Sequence, residues 1–458
     1  MDSGTFTPFQ PKENAGYILG SGTTGGRRLY VVAVDVDNPL GLSPFDVVAR
    51  VCRFLAHIKD HPAPLVQLLD TPAELRTTDG TFVPPGALKL LAHDQGMGRL
   101  YAGLAALEGL IPRAAVLFGA LGASRSFPAV LADATVMLEK AVLCLGRPDA
   151  VRLMTGQHTN FHQLGGAGMH AAVSGTAHTV ARSEKDALAW VRDWLGHLPV
   201  RAGEPLPRQR PLPPRGILSD AVRELGRGLN TPFDSHRLLK ALADADSWIE
   251  MGRLHAGECI TGFCRFEGLS AGVVANNAAV RGGILHPETC RKMARFITLC
   301  SAFGLPLVFL ADTPGFMVGE TVERRGMVQA AGNLFTAIEH CASPKVCVVV
   351  RKAYSAGLYA MAGPGFDGEL WAMPGASISI FGPEALRRFE PGQMDSGLGR
   401  ESFDEIMAGA MDPQVLVDQG LVHELVPWDD LRHRLAVFTG QVNDNGGNNA
   451  ADSREYIR

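Results

Sequence analysis

The chain has no apolar run long enough to cross a bilayer. Its longest mainly apolar stretch, Phe296 to Ala311, is broken by Thr298, Ser301, Gly304 and Pro306. It reads as a helix end followed by a buried strand. Clustered positive charge is missing too: the formal charge is −4 and the basic residues are scattered. That excludes the Lys/Arg stripe that phosphate neutralisation requires, so neither nucleic acid nor membrane is expected as a partner. The opening Met1-Asp2-Ser3-Gly4 has no basic segment followed by an apolar one, so no secretory signal and a cytoplasmic location are expected. Eight cysteines lie far apart, and the nearest two, Cys259 and Cys264, have no second pair or neighbouring His. Buried reduced thiols are expected, and no metal site.

Familiar catalytic devices are also lacking. There is no Gly-x-Ser-x-Gly elbow, phosphate-binding loop, His-Glu-x-x-His or Gly-x-Gly-x-x-Gly after a strand. His158, His162, His170 and His178 cluster around Gln163-Leu164-Gly165-Gly166-Ala167 without metal-ligand spacing. Structural or hydrogen-bonding roles fit them better.

What is present is a globular composition, 46% apolar and 20% charged over 458 residues, enough for two domains. The chain repeats itself. Pro64-Leu65-Val66-Gln67-Leu68-Leu69-Asp70-Thr71-Pro72 returns as Pro306-Leu307-Val308-Phe309-Leu310-Ala311-Asp312-Thr313-Pro314. Each copy is a strand-length run closed by a turn.

The surroundings repeat as well. Ser43-Pro44 and His286-Pro287 each open a helical pattern, the first carrying Val47, Val48, Val51, Phe54, Leu55 and Ile58, the second Met293, Phe296, Ile297 and Cys300. Strand-like runs precede them, Tyr30 to Val36 and Ala271 to Ala275. Downstream, Ala114 to Phe118 leads into a small-residue turn at Gly119 to Ser126, and Val346 to Val350 leads into one at Ala353 to Gly357. Each half reads strand–helix–strand–helix–strand–turn–helix, a parallel α/β unit. Residues 1–27 read as a flexible tail, 28–200 as the first domain, 201–215 as a Pro-rich linker, 216–441 as the second domain and 442–458 as a second tail.

A small-residue turn between strand and helix exposes backbone N–H groups at the positive end of the helix dipole. Two such donors make an oxyanion hole, and losing one costs about 2.7–4 kcal/mol of transition-state stabilisation. On composition alone the plain alternative, an ordinary tight turn, stays open at both places. Gly357 is expected to be the position where Val would block approach to the donors and leave the fold intact.

Several stretches resemble a known family. Gly304 to Leu310, Gly315-Phe316-Met317-Val318-Gly319, Ser343-Pro344-Lys345-Val346, Ser355-Ala356-Gly357-Leu358-Tyr359-Ala360-Met361-Ala362-Gly363 and Trp371-Ala372-Met373-Pro374-Gly375-Ala376 are similar to the biotin-dependent acyl-CoA carboxyltransferases. These are the β subunits of propionyl-, acetyl- and methylcrotonyl-CoA carboxylases. Leu164-Gly165-Gly166-Ala167, His170, Ser174-Gly175 and Ala177-His178 continue the likeness in the first half.

The resemblance implies an α/β chain of two tandem crotonase-like (ClpP/crotonase superfamily) domains. The acyl thioester would lie on the first, and biotin, carried by a separate protein, on the second domain of a partner subunit. Carboxyl would pass between biotin and the α-carbon (or a vinylogous carbon) of an acyl-CoA or acyl-carrier-protein thioester through an enolate. A biotin carboxylase/biotin carrier subunit and a homo- or hetero-oligomer are implied as partners. By position, Ala356 and Gly357 would form one oxyanion hole and Ala123, Ser124 and Arg125 the other. Ser355, Leu358, Tyr359, Arg76 and Gly166 would border substrate, although Tyr359 reads equally as a packed helix residue. Gly315, Phe316 and Val318 would border biotin.

Two departures stand out. The first turn, Gly122-Ala123-Ser124-Arg125-Ser126, lacks the family's adjacent glycines, and Asp70 to Arg76 replaces its Ser-Gly-Gly-Ala-Arg loop. Arg125 could set a cation on an enolate or carboxylate, or point to solvent. Two alternatives therefore stay open: a biotin-independent decarboxylase of malonyl-type thioesters, and a non-catalytic partner subunit.

Overall fold

Each copy of the repeated apolar run becomes an inner strand of a largely parallel sheet. The computed structural model describes residues 1–9, 17–36, 44–71, 87–382 and 412–445, in two compact units, Met1–Glu204 and Pro205–Arg458. The first unit contains β1 (Thr7–Pro8), β2 (Tyr17–Thr24), β3 (Arg27–Val34), β4 (Leu65–Leu69), β5 (Arg113–Leu117), β6 (Ala120–Gly122), β7 (Ala134–Leu138), β8 (Val142–Cys144) and β9 (Thr179–Ala181). The main sheet runs β1-β2-β3-β4-β5-β7-β9, while β6 and β8 form a separate parallel pair. The second unit contains β10 (Ile249–Glu250), β11 (Cys259–Phe266), β12 (Leu269–Asn276), β13 (Leu307–Thr313), β14 (Lys345–Tyr354), β15 (Glu369–Ala372), β16 (Ser377–Ser379) and β17 (Glu424–Leu425). Its sheet runs β10-β11-β12-β13-β14-β15-β17, with β16 paired to the end of β14.

The strand registers prove the duplication residue by residue. Leu65 pairs with Arg113 and Leu69 with Leu117; Leu307 pairs with Lys345 and Ala311 with Val349. Superposing the registers sets Arg113 on Lys345, Gly119 on Arg351 and Ala123 on Ser355. Each inner strand is preceded by the helix that the Pro-initiated pattern predicts, Pro44–Asp60 and Pro287–Ala302. Phe54, Leu55 and Ile58 of the first pack with Tyr30, Leu65 and Leu104. Met293, Phe296, Ile297 and Cys300 of the second are all buried. Side chains of this size contribute about 1.5–3 kcal/mol each when fully buried. A second core cluster gathers Val273, Val308, Val346 and Val348 with Leu431, Leu435 and Phe438.

Both tails need correction. Tyr17–Thr24 is not frayed; it pairs antiparallel with all of β3, from Tyr17 opposite Val34 to Thr24 opposite Arg27. Its glycines disguised it, but they serve packing: a Cβ on Gly20 would meet the Phe6 ring at 2.5 Å. Asp2 then ties the hairpin, its carboxylate accepting from Thr23 Oγ1 at 2.6 Å and from the N–H groups of Gly25 and Gly26 at 3.0 Å. At the other end the helix Leu431–Asn445 continues past Val442. Its buried Leu435 and Phe438 anchor it to the core. Residues 201–215 form neither helix nor strand. They are pinned all the same, with Ala202 N–H donating to Leu110 O at 2.9 Å and Gln209 N–H to Gly268 O at 3.0 Å.

Candidate active site

The second turn follows β14. Ser355 takes the left-handed conformation, φ 54°, which turns the chain sharply into the one-turn helix Gly357–Ala360. Its own N–H is spent, donating to Ser379 O at 2.9 Å. Leu358 N–H closes the turn onto Ser355 O at 3.2 Å. The N–H groups of Ala356 and Gly357, between them, meet no acceptor among the described residues. These two donors are what the turn offers.

Gly315 lies directly against it. A Cβ on Gly357 would fall 2.7 Å from Gly315 Cα and 3.1 Å from Gly315 N. Gly315 sits at φ 114°, with its N–H on Thr313 Oγ1 at 3.1 Å and its carbonyl accepting from Leu285 N–H at 3.0 Å. Gly357 is thus required first by backbone packing. Replacing it with Val would not leave the fold intact, contrary to the expectation from sequence. Phe316 follows, half-buried with its ring edge-on to Phe335 at 6.1 Å. Val318 and Tyr359 are exposed, 77% and 48%, so Tyr359 is a surface aromatic beside the turn and not a core residue. Leu358 is half-buried.

The first turn repeats this geometry without the glycines. Ala123 has φ 52°, and its N–H donates to Leu145 O at 3.0 Å. Ser126 N–H closes onto Ala123 O at 3.0 Å. Ser124 and Arg125 N–H, the counterparts of Ala356 and Gly357, meet no acceptor among the described residues. Ala123 was therefore one residue too early as a donor; its N–H is already used. Both turns are stiffened from behind in the same way: β6 pairs with β8, Ala120 opposite Val142, and the end of β14 pairs with β16, Lys352 opposite Ser377. Ser126 Oγ adds a hydrogen bond to Cys144 O at 2.7 Å.

Helix dipoles contribute little here. The helices after the turns, Phe127–Val130 and Gly357–Ala360, have four residues each, and a macrodipole needs aligned peptides over more turns. The donors are turn N–H groups. Arg125 itself is half-buried within electrostatic reach of Tyr17. Burial lowers its pKa below the ordinary arginine value, and Tyr17 works the other way.

Other candidates fall elsewhere. Arg76 lies outside the described residues. Gly166 contributes no free donor: its N–H is bonded to His162 O at 3.0 Å, and it bridges Val142. A Cβ there would lie 2.7 Å from His162 O, so close packing explains the glycine. His170 spans Ser174 Oγ at 2.8 Å and Leu143 O at 2.6 Å, while His178 Nδ1 accepts from Thr135 N–H at 3.0 Å. All eight cysteines are free and seven are buried; burial pushes the Cys259 thiol up to about 12. No helix among the described residues is long and apolar enough to cross a membrane.

Three residues that frame the turns were missed from sequence. Arg351 donates to both oxygens of Asp312, at 3.1 and 2.8 Å, and to the carbonyls of Gly228 and Thr231. Burial raises the Asp312 pKa, and Arg351 opposes that rise. Tyr101 Oη donates to Ser124 O at 2.6 Å. Tyr354 Oη donates to Ser377 Oγ at 3.1 Å. Only Arg351 had a usable signal, since Arg351-Lys352 is a charged pair closing an otherwise apolar run.

The carboxyl transferase domain family matches residues 86–389 of the chain. An uncharacterized carboxylase, YngE of Bacillus subtilis (strain 168), is 36% identical over 372 residues, spanning 81% of this chain and 71% of the relative. The propionyl-CoA carboxylase carboxyltransferase subunit of Haloferax mediterranei is 29% identical over 430 residues, spanning 92% and 81%. Among solved structures, the transcarboxylase 12S hexamer core superposes with a TM-score of 0.86 over 97% of this chain and 88% of that one, at 23% identity. That likeness carries the fold: both units are crotonase-like. With a family match across most of the chain and a relative above 30% identity, this protein belongs to the carboxyl transferase family.

Proposed function

We propose that the chain is the carboxyltransferase subunit of a biotin-dependent acyl-CoA carboxylase, moving carboxyl between biotin on a separate carrier and the α-carbon of an acyl-CoA. The observation that carries this reading is the pair of matching turns, each with two uncommitted N–H groups and a rigid strand pair behind them. A thioester enolate and a ureido oxygen both concentrate negative charge on one oxygen, and fixed donors stabilise such charge without reorganising. Relatives named as propionyl-CoA carboxylase and acetyl-/propionyl-coenzyme A carboxylase subunits support the substrate class.

Carboxylated biotin supplies the carboxyl group and, once it has left, a base for the α-proton. The residues of this chain hold the oxygens. Ser124 and Arg125 N–H receive the thioester oxygen as it becomes an enolate, and Ala356 and Gly357 N–H receive the ureido oxygen. No side-chain base is required of the protein. A biotin carboxylase/carrier subunit and an oligomer follow as partners, in keeping with the hexamer named for the transcarboxylase core.

The test is loss of carboxylate from methylmalonyl-CoA, followed by mass spectrometry with and without free biotin. Loss that requires biotin is the transfer half-reaction in reverse and supports the reading. Loss indifferent to biotin, or none, overturns it.

A further inference from the structure

One difference between the two turns is a carbonyl that loses its main-chain donor, and a side chain from another helix makes up that loss. In the second turn the carbonyl of Ala356 accepts a hydrogen bond from Ala360 N–H at 3.1 Å. That bond holds the peptide plane linking Ala356 to Gly357, whose other face is the Gly357 N–H. In the first turn the same register puts Pro128 where Ala360 stands, and proline has no N–H to give. The Ser124 carbonyl is nonetheless satisfied: Tyr101 Oη, from the helix Met97–Ala105, donates to it at 2.6 Å. The ring of Tyr101 is held edge-on to Phe127 at 5.4 Å between centroids. Pro128 is itself fixed, its carbonyl accepting from buried Gln67 Nε2 at 3.1 Å.

We infer that Tyr101 is a positioning residue for the acyl-side oxyanion hole, replacing the main-chain hydrogen bond that Pro128 abolishes. The Ser124 carbonyl and the Arg125 N–H belong to one planar peptide. A bond to the oxygen sets the direction of the N–H, and polarisation along the peptide makes it a stronger donor. This rests on the function proposed above for the turn.

The test uses the full chain in three variants: Tyr101→Phe, Pro128→Ala and the double variant. Tyr101→Phe keeps the ring against Phe127 and removes only the hydroxyl. Its kcat for biotin-dependent decarboxylation of methylmalonyl-CoA is expected to fall about tenfold with KM within about twofold, since the donor matters most in the transition state. Pro128→Ala alone is expected to be near neutral. The double variant regains most of the lost kcat, because the main-chain N–H that Pro128→Ala restores takes the Ser124 carbonyl as Ala360 takes Ala356. Unchanged kcat in Tyr101→Phe, a loss carried by KM alone, or no rescue in the double variant would overturn the inference.

Amide hydrogen exchange over residues 119–131 reads the same device without turnover. Tyr101→Phe should speed exchange there and Pro128→Ala should reverse it. Should the wild-type chain be inactive with this substrate, the functional reading fails, and exchange alone decides the positioning role: no acceleration, or acceleration that adding Pro128→Ala does not reverse, sinks it.

Discussion

The two units build the same turn with different chemistry behind it. In the second, Asp312 at the end of β13 is locked by Arg351 in a pair with side chains 3% and 4% exposed. In the first, Asp70 occupies the matching place and Gly119 stands where Arg351 would be; a Cβ on Gly119 would overlap the Asp70 carboxylate. At the opposite end of the strand the ionic pairing is reversed. Arg113 pairs with Asp133 at 2.6 Å, whereas its counterpart Lys345 donates to the Cys341 carbonyl at 2.7 Å. Yet Ala123 and Ser355 agree in φ within a few degrees. What shapes the turn is therefore the strand pairing beyond it, common to both units, and not glycine or any one ion pair.

Breaking the Asp312–Arg351 ion pair should produce the largest effect. Arg351→Met strands a buried carboxylate and is expected to cost about 3–5 kcal/mol in chemical denaturation. A cost below about 1 kcal/mol would mean that Asp312 is protonated in the fold. Next comes the close glycine contact. Gly357→Ala should cost about 1–3 kcal/mol through its clash with Gly315, whereas Arg125→Gly at the matching position should leave the melting temperature nearly unchanged. Equal costs would show that the two turns are packed alike.

A smaller effect probes the first turn's own brace. Ser126→Ala loses the bond to Cys144 O and should cost about 1 kcal/mol, measurable by urea unfolding; no loss would remove Ser126 as a support.

The smallest effect is the pH dependence contributed by one histidine of the second unit, His236. Burial lowers the His236 pKa, but hydrogen bonds to Glu250 at 2.9 Å and Asp234 at 2.6 Å outweigh it and leave the value raised. A raised pKa gives stability that is complete below the unfolded value near about 6.5 and is lost as pH climbs through the folded value. The stability gap between wild type and His236→Gln, about 1 kcal/mol for a half-buried cluster open to water on the Asp234 side, should therefore narrow from about pH 6.5 upward. A gap that widens with pH would contradict the cation at His236.

Most of the fold was legible because it rests on periodicity. The apolar runs ending in Asp70 and Asp312, and the Pro44 and Pro287 helix starts, each announce an element locally. The hairpin Tyr17–Thr24 was not legible, because Gly20 and Gly22 serve contacts with Phe6 and Met1 that no local pattern reveals. At the site, the position of each turn could be read from its small residues, but which N–H groups remain uncommitted could not. That depends on Leu145 and Ser379, residues outside the turns, accepting from Ala123 and Ser355. Tyr101 was invisible for the same reason: its partner is a carbonyl, and carbonyls leave no mark on sequence.

Pro128 also has an evolutionary consequence. A chain with proline there and no hydroxyl at position 101 would lose the support of its first turn, whereas one with Tyr101 and an ordinary residue at 128 loses nothing. The two substitutions are not interchangeable in time: tyrosine must come first, and once proline has followed, tyrosine is entrenched. Among descendants that keep Pro128, position 101 should tolerate only a hydroxyl that reaches as far. Where 128 reverts, position 101 is free to drift.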